Sequence, residues 1–218
     1  MKKNYLKISI LILLFLIGCS SQPKRKTVTI SASNIGVINL SHFDKKIVIY
    51  NEVSPKDIQA DNLNIHQGHF LKLENNKTDN EIILKSLSEN QFHLVNLSLE
   101  DIAIATLQKI NFEDFPKLIF LNSSIVDLKT DQPYTSKNVV KYYQVGDVGF
   151  IGLSDNNINK KIDFSRFIIA DPVLSILKIK KNFEKAEIKS FVLIHHFQDN
   201  IAPIMERLPP SFINSITN

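Results

Sequence analysis

The 218-residue chain has a single cysteine, Cys19. One thiol excludes an intramolecular disulfide in any compartment. Long apolar runs are scarce too. The N-terminal apolar stretch, Ile8 to Ile17, is about half the roughly 20 residues a membrane-spanning helix needs, which argues against a permanent span. No internal repeat, low-complexity tract or long linker divides the chain. About 190 residues beyond the N-terminal segment are enough for one domain with a substantial core. An excess of one charge is also missing. The formal charge is +4, and loss of Lys2, Lys3 and Lys7 with a leader brings it to +1. A nearly neutral surface gives no reason to expect a nucleic-acid partner.

What the N-terminus does contain is an export pattern. A basic segment, Met1 to Lys7, precedes the apolar core, which ends in Leu16-Ile-Gly-Cys19. That tetrapeptide resembles a bacterial lipobox, with cleavage between Gly18 and Cys19 and a diacylglycerol on the cysteine. Residues 1–18 then form a lipoprotein signal peptide, 19–26 an acylated tether and 27–218 a single domain. Several buried acyl chains anchor far more firmly than one. The expected partner of this end is the membrane. Ser20, where an enteric protein retained in the inner membrane carries Asp, favours the outer membrane. The Lys24-Arg-Lys26 cluster reads as a solvated part of the tether.

Further on, the patterning is that of an α/β layer fold. Val148 to Leu153 is an apolar run bounded by turn residues, which suits a strand covered on both faces. Gly149 and Gly152 within it would admit close neighbours, but they lack phosphate-loop spacing. Phe150 and Ile151 are expected to be buried on opposite faces. Leu118–Leu121 and Phe191–Ile194 read as further strands, either of which would flank it. Thr27–Ser31, Lys46–Tyr50 and Phe92–Val95 have strand composition, and Asn34–Gly36 and Ser54-Pro55 read as breaks. Lys56 to Lys77 is expected to be irregular. A helix is expected after a cap at Thr78-Asp79, with Ile82, Ile83 and Leu87 on its apolar side. A second runs from Leu99 to Ile110, with Glu100 and Asp101 as first-turn charges. Val139–Gln144 and Val148–Leu153 form an expected hairpin across Gly146-Asp147. Asp155 to Lys161 reads as a loop. Asp171-Pro172 opens a helix that puts Val173, Ile176, Leu177 and Ile179 on a sheet. A last helix covers Asn200 to Leu208, and Phe212–Ile216 would begin one more strand.

The order Phe115-Pro116, Leu121-Asn-Ser-Ser-Ile125, Gln132-Pro-Tyr134, Val148–Ser154, Asp171-Pro172, Leu193-Ile-His195 resembles the calcineurin-like metallophosphoesterases. The likeness is to their exported 5′-nucleotidase and UDP-sugar hydrolase branch. A closer likeness is to lipoproteins of the same fold in which a phrase such as Asn96-Leu-Ser-Leu-Glu-Asp-Ile-Ala103 replaces the catalytic one. The resemblance implies a layered fold with central mixed sheets flanked by helices, incomplete at the C-terminus. It also implies two divalent metals activating a water for in-line attack, held by carboxylate, His and Asn ligands at strand ends.

Those ligands are largely missing. The family's first motif falls on Ser33-Asn-Ile35, and its second has no counterpart at Tyr50–Val53, where Glu52 is the nearest acid. The motif with the bridging Asn and acid-base His falls near Leu97-Ser-Leu-Glu100. Only the His after Phe191–Ile194 is retained, as His195 or His196, and these are the weak metal candidates. Otherwise the two read as a strand-end pair with one ring packed and one exposed. His42, His66, His69 and His93 are expected as loop histidines in contact with water. No catalytic residue and no cofactor are expected. The reading is a lipid-anchored envelope protein with a binding or structural role, towards an envelope protein or a small phosphorylated ligand. The alternatives are a metal-dependent phosphoesterase with unconventional ligands, needing a divalent pair, and the remnant of a truncated nucleotidase gene.

Overall fold

A computed structural model describes residues 26–30, 36–38, 40, 43–51, 58–154, 161–186, 188, 190–195 and 201–208. The leader with Gly18 and Cys19 lies outside the described residues, as do Ser33, Ile35, His42, Glu52, Ser54-Pro55, 155–160, His196 and Phe212–Ile216. Among the described residues no helix is long and apolar enough to cross a membrane.

Thirteen strands are described: β1 (Lys26–Ile30), β2 (Gly36–Ile38), β3 (Ile47–Tyr50), β4 (Leu63–His66), β5 (Phe92–Asn96), β6 (Ile119–Leu121), β7 (Ile125–Asp127), β8 (Gln132–Pro133), β9 (Val139–Val140), β10 (Tyr143–Val145), β11 (Val148–Leu153), β12 (Phe167–Ile169) and β13 (Ser190–His195). The helices are α1 (Lys77–Glu89), α2 (Leu99–Gln108), α3 (Pro172–Lys185) and the single-turn α4 (Ala202–Glu206). A six-stranded sheet has the order β2-β3-β4-β5-β6-β9, a four-stranded sheet β1-β13-β11-β10, and β12-β7-β8 form a small third sheet. Neighbours from β3 to β9 run parallel, as do β1, β13 and β11.

The two large sheets pack face to face, and strand alternation builds their shared core. Ile47 and Ile49 of β3, Leu63 and Ile65 of β4, and Leu94 of β5 meet Val148, Phe150, Val192 and Ile194. The intervening residues face outward. Val48, Tyr50, Phe92 and Val95 pack with Leu84 and Leu87 of α1 and Ile102 of α2. On the other side Ile151, Leu153, Phe191 and Leu193 pack with Val173, Ile176, Ile179 and Phe183 of α3. The result is a four-layer α/β/β/α sandwich, the mixed α/β class expected from the sequence.

The strand β11 is buried along its whole length, with Phe150 facing the other sheet and Ile151 facing α3. Both glycines admit a close neighbour, as expected. A Cβ on Gly149 would meet Phe183 Cζ at 2.8 Å, and one on Gly152 would meet Leu121 Cβ at 2.7 Å.

Five expectations need correction. The stretch 56–77 is not wholly irregular, because Leu63–His66 is a central strand of the six-stranded sheet. Its polar residues hid it. Asn64 is buried only because its amide donates to Gln59 O at 3.0 Å and Gln91 O at 3.3 Å. Gly36, expected in a loop, opens β2. The cap of α1 is Asn76, whose Oδ1 accepts from Asp79 N at 3.0 Å. Leu84 and Leu87 are buried there, whereas Ile82 is 55 % exposed. Finally, Val139-Val140 pairs with β6, so the chain changes sheets before the β10–β11 hairpin begins.

Candidate functional site at the carboxyl ends of the central strands

The carboxyl ends of β4, β5, β11 and β13 converge, two from each large sheet. In parallel α/β sheets this edge is where ligands and catalytic groups gather. Alternation places Gln67, just past β4, and Asn96, the last residue of β5, on the face turned toward the opposite sheet.

These two side chains stitch the sheets together. Asn96 Nδ2 donates to Gln67 O and to Leu153 O, both at 3.0 Å. Gln67 Nε2 donates to His195 O. Gln67, Asn96 and His195 are all buried. Gly152 faces the Asn96 carboxamide oxygen, which occupies the place a Cβ there would take. Among the described residues that oxygen has no hydrogen-bond partner. Serines continue the seam. Ser123 Oγ donates to Gly152 O, Ser124 Oγ accepts from Ser154 N at 3.1 Å, and Ser154 Oγ accepts from Leu99 N at 2.8 Å.

Asp101 shapes the neighbouring loop. Its carboxylate accepts from the backbone N–H groups of His69, Phe70 and Leu71 at 2.9, 3.0 and 2.9 Å. It also takes Ser98 N at 3.0 Å and the Ser98 hydroxyl at 2.6 Å, closing a capping box at the start of α2. Asp101 is the first-turn charge expected from the sequence, and it is fully buried. A carboxylate can be buried at this cost because five donors replace its water. Glu100 stays at the surface, 3.5 Å from His69 Nδ1.

The histidines are dispersed. His66 is buried at the end of β4 and its Nδ1 accepts from Gly68 N at 3.2 Å. It is not a solvated loop residue, because strand alternation turns its ring onto Phe70 and Phe92, at 5.7 Å from each. His69 follows Gly68 in a left-handed conformation with φ 56°. His93 lies within β5, not in a loop, and burial followed by the charge of Lys45 lowers its pKa from the usual 6.5. His195, a strand-end residue in the sequence reading, is wholly buried in β13.

Among the described residues no three His, Cys, Asp or Glu side chains lie together in a way that could hold a metal ion. The positions near Leu97, Ser98 and Leu99 supply aliphatic chains and a hydroxyl already bonded to Asp101. The amides of Gln67 and Asn96 donate to backbone carbonyls from the same edge. The side chains described here do not fit a dinuclear divalent centre.

Comparison with solved structures places the architecture. The chain superposes on Thermus thermophilus sulfate thiohydrolase SoxB with a TM-score of 0.53 over 67 % of its length, at 15 % identity. The fold is metallophosphoesterase-like. The chain spans 28 % of the length of SoxB. Two nucleotidases overlap less well. They are a Thermus thermophilus 5′-nucleotidase precursor (TM-score 0.48, 15 % identity, 62 % of this chain and 28 % of that one) and the Haemophilus influenzae NAD nucleotidase (0.48, 14 %, 78 % and 34 %). The chain matches no protein-family model, and no curated protein matches it by sequence.

The sequence singled out His195 and the phrase beginning at Asn96, and the structure brings both to this edge. It missed Gln67 and the buried role of Asp101. The signal for Asn96 was present: a polar residue ends an apolar strand on the inward parity. Gln67 carried no such signal, since the strand before it was itself disguised by Asn64 and His66.

Proposed function

We propose that this chain is a lipid-anchored protein of the bacterial envelope that keeps a metallophosphoesterase-like fold for a non-catalytic binding or structural role. The observation that carries the reading is the seam at the strand ends. Gln67 and Asn96 spend their amide donors on Gln67 O, Leu153 O and His195 O, tying the sheets together where a catalytic edge would need ligands directed at a metal. Leu16-Ile-Gly-Cys19 supports the anchor, and Ser20 supports the outer membrane as its destination. The partner in this reading is an envelope protein or a small phosphorylated ligand.

The full chain in detergent is titrated calorimetrically with Mn²⁺, Zn²⁺ and Ca²⁺, and phosphate release from nucleotides and UDP-sugars is followed with each metal. The expected result is no saturable metal binding and no turnover. Turnover lost in His195→Ala but kept in His42→Ala would make the protein a phosphoesterase and end this reading. The anchor has its own test: a fatty-acid analogue should label the wild type and not Cys19→Ser.

A further inference from the structure

A cleft of about 450 Å³ opens between α1 and the carboxyl ends of β3 and β4. Asn51, just beyond β3, and His66, at the end of β4, line it. Phe70 and Lys72 come from the segment that Asp101 holds, and Ile82 and Ile83 from α1. The volume suits a small organic molecule.

The lining gives that molecule a chemical character. Lys72 is exposed, and among the described residues its Nζ reaches only His69 O, at 3.4 Å. Among the described residues no carboxylate pairs with it, so its charge remains available to an anion. Asn51 Oδ1 is buried without a hydrogen-bond partner among the described residues. Ile82, which is 55 % exposed, Ile83 and Phe70 add apolar surface to the lining. Apolar side chains together with a cation and a buried polar group are the usual make-up of a small-molecule site.

We infer that this cleft binds a small organic acid, with its anionic head at Lys72 and an aromatic or branched body against Ile82, Ile83 and Phe70. The inference does not depend on the proposed function, since none of Gln67, Asn96 and His195 lines this cleft. Nor does it need the lipid anchor.

The probe is 4-benzoylbenzoate, an aromatic acid that cross-links on irradiation. It is applied to the full chain in detergent, with protein-free micelles as the blank. Cross-links should fall within residues 66–72 and 82–86, and labelling should saturate. Benzoate should compete and benzylamine should not. Lys72→Gln, a change at an exposed position that leaves the core untouched, should weaken labelling about tenfold, and Lys72→Arg should retain it. Labelling that never saturates, maps outside those segments, yields equally to benzylamine or survives Lys72→Gln unchanged would overturn the inference.

Discussion

The carboxamide oxygen of Asn96 lies where a methyl group on Gly152 would stand. The two residues belong to different sheets, so the glycine is what lets the strand ends of β5 and β11 approach. Gly152→Ala must push the sheets apart or expel the Asn96 side chain from Leu153 O. Overpacking of this kind costs about 1–3 kcal/mol, and here it also breaks a buried hydrogen bond. Urea unfolding should show a loss at or above the top of that range. An unchanged midpoint would mean that the seam is loose.

Ile151 faces α3 and is wholly buried. Ile151→Ala should destabilise the fold by about 2–5 kcal/mol, the span set by how far the cavity can collapse. Chemical denaturation measures it, and a change below about 0.5 kcal/mol would place Ile151 at the surface.

Asp101 presents one carboxylate to five donors. Asp101→Ala leaves buried N–H groups at His69, Phe70 and Leu71 without an acceptor, at about 1–3 kcal/mol for each group that water cannot reach. Hydrogen exchange should accelerate selectively at those three amides in a variant still folded. Unaltered protection would show that the loop holds itself.

Arg166 binds Asp127 with two contacts, Nε to Oδ1 at 3.0 Å and a terminal nitrogen to Oδ2 at 2.6 Å. This guanidinium is the chief reason the Asp127 pKa is lowered. A depressed carboxylate contributes stability that is complete above its unfolded value, about 3.9, and is lost as pH falls through the folded one. Arg166 is 43 % exposed at its side chain, so the contribution is about 1 kcal/mol or less. Asp127→Asn should lose that contribution at neutral pH and converge with the wild type in acid, which flattens the acid limb of the stability curve below about pH 4.

His93 acts on the same side at milder acidity. Burial, then Lys45, lowers its pKa in the folded chain. Below about pH 6.5 the unfolded chain gains a proton that the native one resists, so stability falls as pH drops through that window. His93→Gln should remove this slope in thermal melts recorded from neutral to mildly acidic pH. A slope that persists would belong to another group.

How far the sequence reached differs from element to element. Val148–Leu153 was legible because six residues between turn formers demand burial on both faces, and Asp171-Pro172 because cap and proline sit in the favoured order. The β4 strand was not legible, since Asn64 and His66 interrupt its apolar pattern and are tolerated only through partners at Gln59, Gln91 and Gly68. The apolar pattern of Val139 to Gln144 could not show that Val139-Val140 joins one sheet and Tyr143 the other, because alternation records burial and not the identity of the pairing strand.

By itself, then, the sequence determined the layered α/β class and the burial of β11, both of which follow from local periodicity, while the need for glycine at 149 and 152 came from Phe183 and Asn96, which only the fold brings near. Only the tertiary structure decided that Gln67, Asn96 and His195 meet at one edge, and that Asp101 is an internal anchor and not a surface charge. Those facts depend on contacts between residues as many as 128 positions apart. Burial without cost depends on finding a partner, and a linear sequence does not display which partners folding will supply.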